Sequence, residues 1–553
     1  MVEPLQLSLP EGTPSLERFG DVPLPLLFFL AFAAVSLTHL TLLRLPYFWD
    51  EGGYYVPAAL DFYRTGSLIP VFTNAHPPLP NVVLGLLWHL FGFHILVTRL
   101  TACAFAAAGL VAVFALGRRL LGTPAGLVLA LLTAVYPIWF AQSSLAHADI
   151  VAAAFSLAAL ALVLSSPEDI GGSAGNFSAR QRIVWTANLF CLAALSKETA
   201  VIQPVTLAAL QLWRLRKENA WSRSGAVHWL MAFLLPVPVL ATWFGYHFLK
   251  TGYVFGNPEF LHYNATANFT LAHVFYALRI RWVHLFWQRN MWLPLLLAGA
   301  CLLLPRRTPE ASRTPLLLGL PGTVTRTIGW LVLANLVAFS VLGGALLTRY
   351  LLPVYPLLLL LCVAVWQERT AAWPWLAAIT GAAFLSALWL NPSTFFAPED
   401  NLTYRDMIVV QQDAIDFLNQ HFPDATVLTA WPVSGDLSRP ELGYTEHTFH
   451  VFSLENFTAP ELAKAMQQPG RYDTALVFTT HFTSPAFRQY LLSNPASWRG
   501  RRYAADLDLN PTEIARLLGG EVVWQEDRNG EWAAVLRFRR SYNASLLPLQ
   551  IEP

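Results

Sequence analysis

Between Pro23 and Leu390 the sequence is built from apolar runs divided by short polar loops, most of them close to the roughly 17–20 residues that a helix needs to cross a bilayer. That repetition leaves few folds open. In hydrocarbon every backbone N–H and C=O must bond within the protein, so such a chain folds as a bundle of helices. Only 13% of residues are charged, 55% are hydrophobic and the mean hydropathy is +0.44, far from soluble globular composition. The chain reads as a polytopic α-helical membrane protein.

Spans are expected to begin at Pro23, Arg99, Ala125, Ile150, Ile183, Ala200, Val227, Met291, Thr327, Leu351 and Trp373, about eleven crossings by the length rule. The run Leu79 to Phe93 is short and follows a Pro-Pro pair, so it is expected to lie in the interface or re-enter. Basic clusters at Gly117–Leu120, Arg180–Arg182, Arg214–Arg223, Pro305–Arg313 and Gln367–Arg369 then share one side, which the positive-inside rule makes cytoplasmic. The resulting division is a cytoplasmic tail over 1–22, a transmembrane domain over 23–390 and a periplasmic α/β domain over 391–553. The first extracytoplasmic loop, 45–98, carries juxtamembrane helices, and Lys250 to Asn290 is expected to be a long outer loop. The tail has Pro4, Pro10 and Pro14 but no basic start like that of a signal peptide.

After Asn391-Pro392 the pattern changes. A helical run from Arg405 to His421 precedes apolar strands at Ala425–Ala430 and Ala475–Thr480. A helical run at Ala486–Leu492 follows, and Glu521–Trp524 with Ala533–Phe538 reads as a hairpin through Asp527–Gly530.

Several function classes drop out. A net charge of +1 offers no field for nucleic acid. Cys103, Cys191, Cys301 and Cys362 lie in apolar runs without paired spacing, which suits packing rather than disulfides or zinc. No glycine-rich loop between a strand and a helix is placed to cradle a nucleotide.

What remains is a set of polar residues on the outer face. They are Asp50 and Glu51, Asp61, Arg64, His76, His147 with Asp149, Lys197 with Glu198, and Arg349 with Tyr350. Each has a plain structural explanation. The acidic pair and Asp149 suit helix N-termini, Lys197 can pair with Glu198, His147 can bond a carbonyl, and Arg349 and Tyr350 suit an interfacial belt. Their convergence on one face favours chemistry, because ionisable groups near hydrocarbon are costly.

The order of these elements resembles the GT-C superfamily of lipid-phosphate-sugar-dependent glycosyltransferases, in particular the branch of protein O-mannosyltransferases and of aminoarabinose transfer onto lipid A. The resemblance is carried by Asp50-Glu51 after the first span, His76-Pro77-Pro78-Leu79, His147-Ala148-Asp149, Leu195-Ser196-Lys197-Glu198 and Arg349-Tyr350-Leu351-Leu352-Pro353, over about the first 390 residues. It implies a GT-C fold with a C-terminal extracytoplasmic domain in the inner (plasma) membrane. It also implies an inverting enzyme that moves a sugar from a polyprenyl-phosphate donor to a hydroxyl or phosphate of a lipid, glycan or protein acceptor. On this reading Asp50 is the base, with Glu51 or Asp149 orienting the acceptor or raising the base's pKa. Lys197, Arg349 and His76 face the donor phosphate, and His147, Tyr54 and Tyr350 contact substrate. Ser196-Lys197-Glu198-Thr199 stands where Thr-Lys-Gly is common among relatives, which leaves Glu198 without a role.

No cofactor is expected. Asp50, Glu51, His147 and Asp149 offer a possible divalent-cation site, but their spacing places no ligand set on one helix. A secondary transporter or lipid-linked sugar flippase is the alternative, although it should carry its charges at the midplane of broken helices and show internal repeats. The sequons at Asn264, Asn268 and Asn401 fall on the outer face, usable in a eukaryotic lumen and incidental in the bacterial chain that the composition suggests.

Overall fold

The computed structural model describes residues 23–70, 76–164, 178–222, 224–256, 270–307, 316–342, 344–391, 396–480, 485–497, 500 and 507–538. The expected 1–22 tail and the sequons at Asn264 and Asn268 lie outside them.

Helices form where the apolar runs were read. Ile95–Leu121, Gly225–Thr251 and Gly322–Val341 are long and apolar enough to cross a membrane, and Leu24–Thr38, Leu79–Phe91, Thr123–Val135, Ala148–Leu164, Trp292–Cys301 and Trp373–Ser386 are shorter apolar helices. The run Ala125 to Phe140 breaks at Tyr136, because Pro137 holds its predecessor extended and starts a separate short helix, Pro137–Gln142. Lys250 to Asn290 differs from expectation. It contains the helix Leu271–Phe286, whose N-terminus is capped by the Thr270 hydroxyl. Four Arg or His side chains, His273, Arg279, Arg281 and His284, interrupt its apolar run, and buried Arg281 lies on its inward face, which hid the helical period.

The C-terminal region is an α/β unit around a five-stranded sheet. Its strands are β1 (Thr426–Ala430), β2 (His450–Leu454), β3 (Thr474–Phe478), β4 (Gly520–Arg528) and β5 (Glu531–Phe538), in the order β2-β1-β3-β5-β4. The central β1 runs parallel to β2 and β3, while β5 is antiparallel to β3 and β4. The expected hairpin is β4–β5, turning at Asn529-Gly530 with both residues at positive φ. The helix Thr403–His421 lays Met407, Ile408, Gln411, Ala414, Ile415 and Leu418 inward at helical spacing. The short strand β2 was not foreseen, because its exposed and half-buried residues alternate too weakly to announce a strand.

The sheet's core does not stop at the start of that unit. A single buried cluster joins Val427, Leu476 and Val535 to Tyr47, Phe48, Val56 and Leu60 of the first loop and to Leu145 of the turn before Ala148–Leu164. The loop and the C-terminal unit therefore pack as one body at the end of the helical bundle. Asn401 belongs to this joint. It is fully buried, and its amide donates to Asn391 at 2.9 Å, so it is inaccessible to a glycosylating enzyme in the folded chain.

Candidate active site

The first loop is held by Glu51, not by a free chain turn. Trp49 takes a left-handed conformation (φ 44°), and residues Glu51–Tyr55 form a π turn, a wide form often found at functional sites. Glu51 is fully buried. Its Oε1 accepts from Arg99 Nη1 and from the Ala146 N–H, both at 2.6 Å, and its Oε2 accepts from the Phe48 N–H at 2.8 Å. Arg99 gives its other Nη donors to the carbonyls of Leu45 (3.2 Å), Pro46 (2.6 Å) and Ser144 (2.9 Å), and only its Nε is without a partner. The structure thus takes Glu51 away from its neighbour Asp50 and makes it the tie between the loop, the helix Ile95–Leu121 and the turn before Ala148. Sequence reasoning read Arg99 only as the start of a span.

Asp50 points the other way. Its Oδ2 accepts from Arg349 Nη2, and its side chain keeps 20% of its surface exposed. Arg349 is buried at 3% and carries two further carboxylates. Its Nη1 donates to Glu399, and its Nε lies 3.3 Å from Asp149 Oδ2. Asp149 also accepts from Lys197 Nζ at 2.6 Å, and that ammonium sits 4.0 Å from the centre of the Tyr350 ring. The structure therefore brings Asp50, Asp149, Lys197, Arg349 and Tyr350 together. Lys197 pairs with Asp149, not with the adjacent Glu198.

Glu198 gains an explanation of its own. Its Oε2 lies 3.0 Å from His76 Nδ1, and although burial opposes ionisation, His76 and Lys197 bring its pKa down to about 2. The pair links the loop before Leu79 to the turn after the helix Ala179–Ser196.

His147 is fully enclosed. Burial, then Arg349, Lys197 and Arg99, push its pKa well below the ordinary value, so the ring is neutral. Gln142 donates through Nε2 to the Glu399 carbonyl (3.4 Å), which turns its amide oxygen to His147 Nδ1 at 2.8 Å and puts the ring's proton there. Its Nε2 is left as an acceptor.

The two adjacent tyrosines part company. Tyr54 packs near Trp431 of the C-terminal unit, with ring centres 6.3 Å apart, while Tyr55 lies against His76 (5.7 Å) and His147 (5.8 Å). Tyr55, which the sequence reading passed over, is the one beside the charged groups. Trp431 also explains Gly53, since a Cβ there would fall 2.9 Å from its ring.

Two more side chains were missed. Glu399 sits in the turn Pro398–Asp400, where burial first, against Arg349, raises its pKa to about 7. Arg281, from the unexpected helix, is buried and donates to the carbonyls of Leu347 (2.5 Å) and Ala345 (3.0 Å), setting the loop that presents Arg349. Glu399 and Asp400 form an acidic pair after Pro398, which suits the start of the helix that follows, and an Arg within a helix is an ordinary surface pattern, so neither marked the site. Among the described residues no three His, Cys, Asp or Glu side chains gather as a metal site; Glu51 turns to Arg99 and His147 to Gln142, while Asp50 and Asp149 share Arg349.

Residues 75–243 match the family model for dolichyl-phosphate-mannose-protein mannosyltransferases, a span that includes His76, His147, Asp149 and Lys197 but not Asp50 or Arg349. No curated protein matches the chain by sequence. The crystal structure of ArnT from Cupriavidus metallidurans bound to undecaprenyl phosphate is similar over 92% of this chain and 98% of that one, at 16% identity and a TM-score of 0.50. The same protein in its apo state aligns over 92% and 97%, at 15% identity and the same TM-score. The archaeal oligosaccharyltransferase AglB from Archaeoglobus fulgidus, in complex with an inhibitory peptide and a dolichol-phosphate, aligns over 96% and 75%, at 11% identity and a TM-score of 0.44. The likeness to ArnT is one of fold and runs nearly the full length of both chains.

Proposed function

We propose that this chain, a membrane glycosyltransferase of GT-C type by its matched region and its fold, moves a sugar from a polyprenyl-phosphate donor to an acceptor hydroxyl or phosphate with inversion at the anomeric carbon. The observation that carries the proposal is the difference in exposure among the carboxylates around the two buried arginines. Asp50 keeps 20% of its side-chain surface, against 0% for Glu51, 2% for Asp149 and 8% for Glu399. A base must come within hydrogen-bond reach of the proton that it removes, and Asp50 is the one of these four best placed to meet a substrate.

Asp50 takes the acceptor's proton as that oxygen attacks the anomeric carbon. The bond from this carbon to the phosphate oxygen breaks, and its electron pair leaves with the lipid phosphate. Lys197 and Arg349 stabilise the departing anion, which needs cationic hydrogen-bond donors more than it needs a proton. His76, held by Glu198, stands at the edge of the same site. Asp149 orients both cations, and His147 Nε2 accepts from a sugar or acceptor hydroxyl. Tyr55 lies beside these groups. A small open cleft next to His147, with apolar walls from Leu84, Phe105, Ile150 and Val151, is where the first part of an isoprenoid chain would lie. Glu51 serves as a positioning residue, and the reaction uses no metal ion.

An extracytoplasmic site in the inner membrane is supported by the helix ends. Arg99 lies at the site end of a 27-residue helix and Arg118 and Arg119 lie at its other end, about 1.5 Å per residue away. Lys197 precedes Ile202–Lys217, which ends in Arg214, Arg216 and Lys217.

The test is transfer of radiolabelled sugar from a polyprenyl-phosphate donor in proteoliposomes, with a membrane extract as acceptor. Asp50→Asn is expected to lower transfer by about 10²–10⁴-fold while donor still binds. Transfer by this variant at the wild-type rate would remove Asp50 as the base, and loss of transfer in EDTA would overturn the metal-free reaction. A wild type that moves donor across the membrane without a glycosylated product would favour the flippase.

A further inference from the structure

Glu399 lies beyond the last apolar helix, in a turn that serves the site three times over. Its carboxylate meets Arg349 Nη1, its carbonyl fixes Gln142 and through it His147, and the next residue, Asp400, accepts from Thr348, the neighbour of Arg349. The nitrogens of a guanidinium share one plane, so a partner on Nη1 restricts where Nη2 and Nε point. In this structure Nη2 donates to Asp50, while Nε lies 3.3 Å from Asp149 Oδ2 without forming a hydrogen bond to it.

The charges around that plane do not balance. Arg349 and Lys197 face three carboxyl groups, Asp50, Asp149 and Glu399, so once Glu399 is ionised, above neutral pH, three carboxylates meet two cations. An incoming phosphate must compete with these carboxylates for the donors that would hold it. Weak ground-state binding is no defect in an enzyme, because only interactions stronger in the transition state raise kcat. The carboxylate least exposed to substrate after Asp149 and Glu51 is Glu399, and Asp149 already holds Lys197.

Resting on the transferase reading above, we infer that Glu399 is a positioning residue for sugar transfer, holding Arg349 toward Asp50 and, by competing for its guanidinium, limiting how tightly the donor phosphate binds. Removing its charge then tightens binding and slows transfer together. A residue that served the fold alone would weaken both.

The experiment uses the full-length protein in nanodiscs, with undecaprenyl phosphate alone as the binding probe and the proteoliposome assay for rate. Glu399→Gln keeps the shape and an acceptor oxygen but loses the charge. It is expected to bind undecaprenyl phosphate about three- to tenfold more tightly and to transfer sugar about tenfold more slowly. Glu399→Asp keeps the charge and loses reach, so its affinity should stay within about twofold of wild type while its rate falls. Unchanged affinity and rate in Glu399→Gln would remove the inference and leave the transferase reading standing. A parallel loss of affinity, rate and melting temperature in both variants would reduce Glu399 to a structural role. A wild type that neither binds undecaprenyl phosphate nor transfers sugar would remove both readings.

Discussion

Arg99 and Arg349 are buried alike, at 1% and 3% exposure, yet they are surrounded differently. Arg99 meets one carboxylate, Glu51, and gives its remaining Nη donors to backbone carbonyls. Arg349 meets three carboxylates in a site that opens at Asp50. A buried ion pair repays its desolvation only when geometry is good and the leftover donors and acceptors are satisfied. The Arg99 joint comes close to that condition, with every Nη bonded and only Nε without a partner, and its one carboxylate also accepts from two backbone N–H groups. The Arg349 cluster gathers more carboxyl groups than cations, one of them, Asp50, partly exposed, so an arriving anion has partners there to displace. Burial of a charge therefore does not separate structure from function in this protein, whereas the balance of partners around it does.

The sharpest way to break this comparison is to remove one carboxylate from each arginine. Glu51→Ala strands a buried guanidinium and is expected to cost about 3–5 kcal/mol of stability. Asp50→Asn leaves Arg349 two carboxylates, so by the same thermal-unfolding measurement it should cost no more than about 1 kcal/mol. Equal losses in the two variants would mean that both arginines are structural joints.

A smaller effect is expected at Lys197. Lys197→Met should lower kcat/KM for transfer about 10²-fold, the scale of one donor to a developing anion, with little change in melting temperature. A variant at the wild-type rate would leave Arg349 to hold the phosphate alone.

A third arrangement, a buried acid among acids, lies away from both arginines. Glu531 in β5 is 1% exposed, and burial, then Asp406 and Asp527, raise its pKa to about 8 against an ordinary 4.5. Between those values the folded domain holds a proton that the unfolded chain has released, so stability is greatest below pH 4.5 as far as this group is concerned and falls as pH rises toward 8. The apparent melting temperature should drop by roughly 2–4 °C per kcal/mol of this linkage. Glu531→Gln should flatten the trend in a pH series of thermal melts. An unchanged slope would show that Glu531 is ionised in the folded domain.

Much of the arrangement was legible along the chain. The helices lie where the apolar runs lie, and the hairpin announced itself through Asn529-Gly530 between two strand patterns. Asp50, His76, His147, Asp149, Lys197 and Arg349 stood out because ionisable residues at the ends of apolar runs are rare enough to notice. Glu399, Tyr55 and Arg281 did not stand out. Each sits in an unremarked local pattern, and its part in the site comes from what folds against it. The helix Leu271–Phe286 was lost for a related reason, since buried Arg281 breaks the apolar stripe that would have marked it.

By itself the sequence determined that this protein is a helical membrane bundle with an α/β unit at its end, because a bilayer converts apolar length and loop charge directly into position. Which carboxylate meets which cation was decided only by the tertiary structure. Arg349 and Asp50 are 299 positions apart, and Lys197 and Asp149 are 48 apart, distances over which no periodicity carries information. Adjacent residues were separated in the same way. The turn at Trp49 sends Asp50 to the site and Glu51 into the core, a division made by backbone geometry and by which donors the fold had already placed on each side.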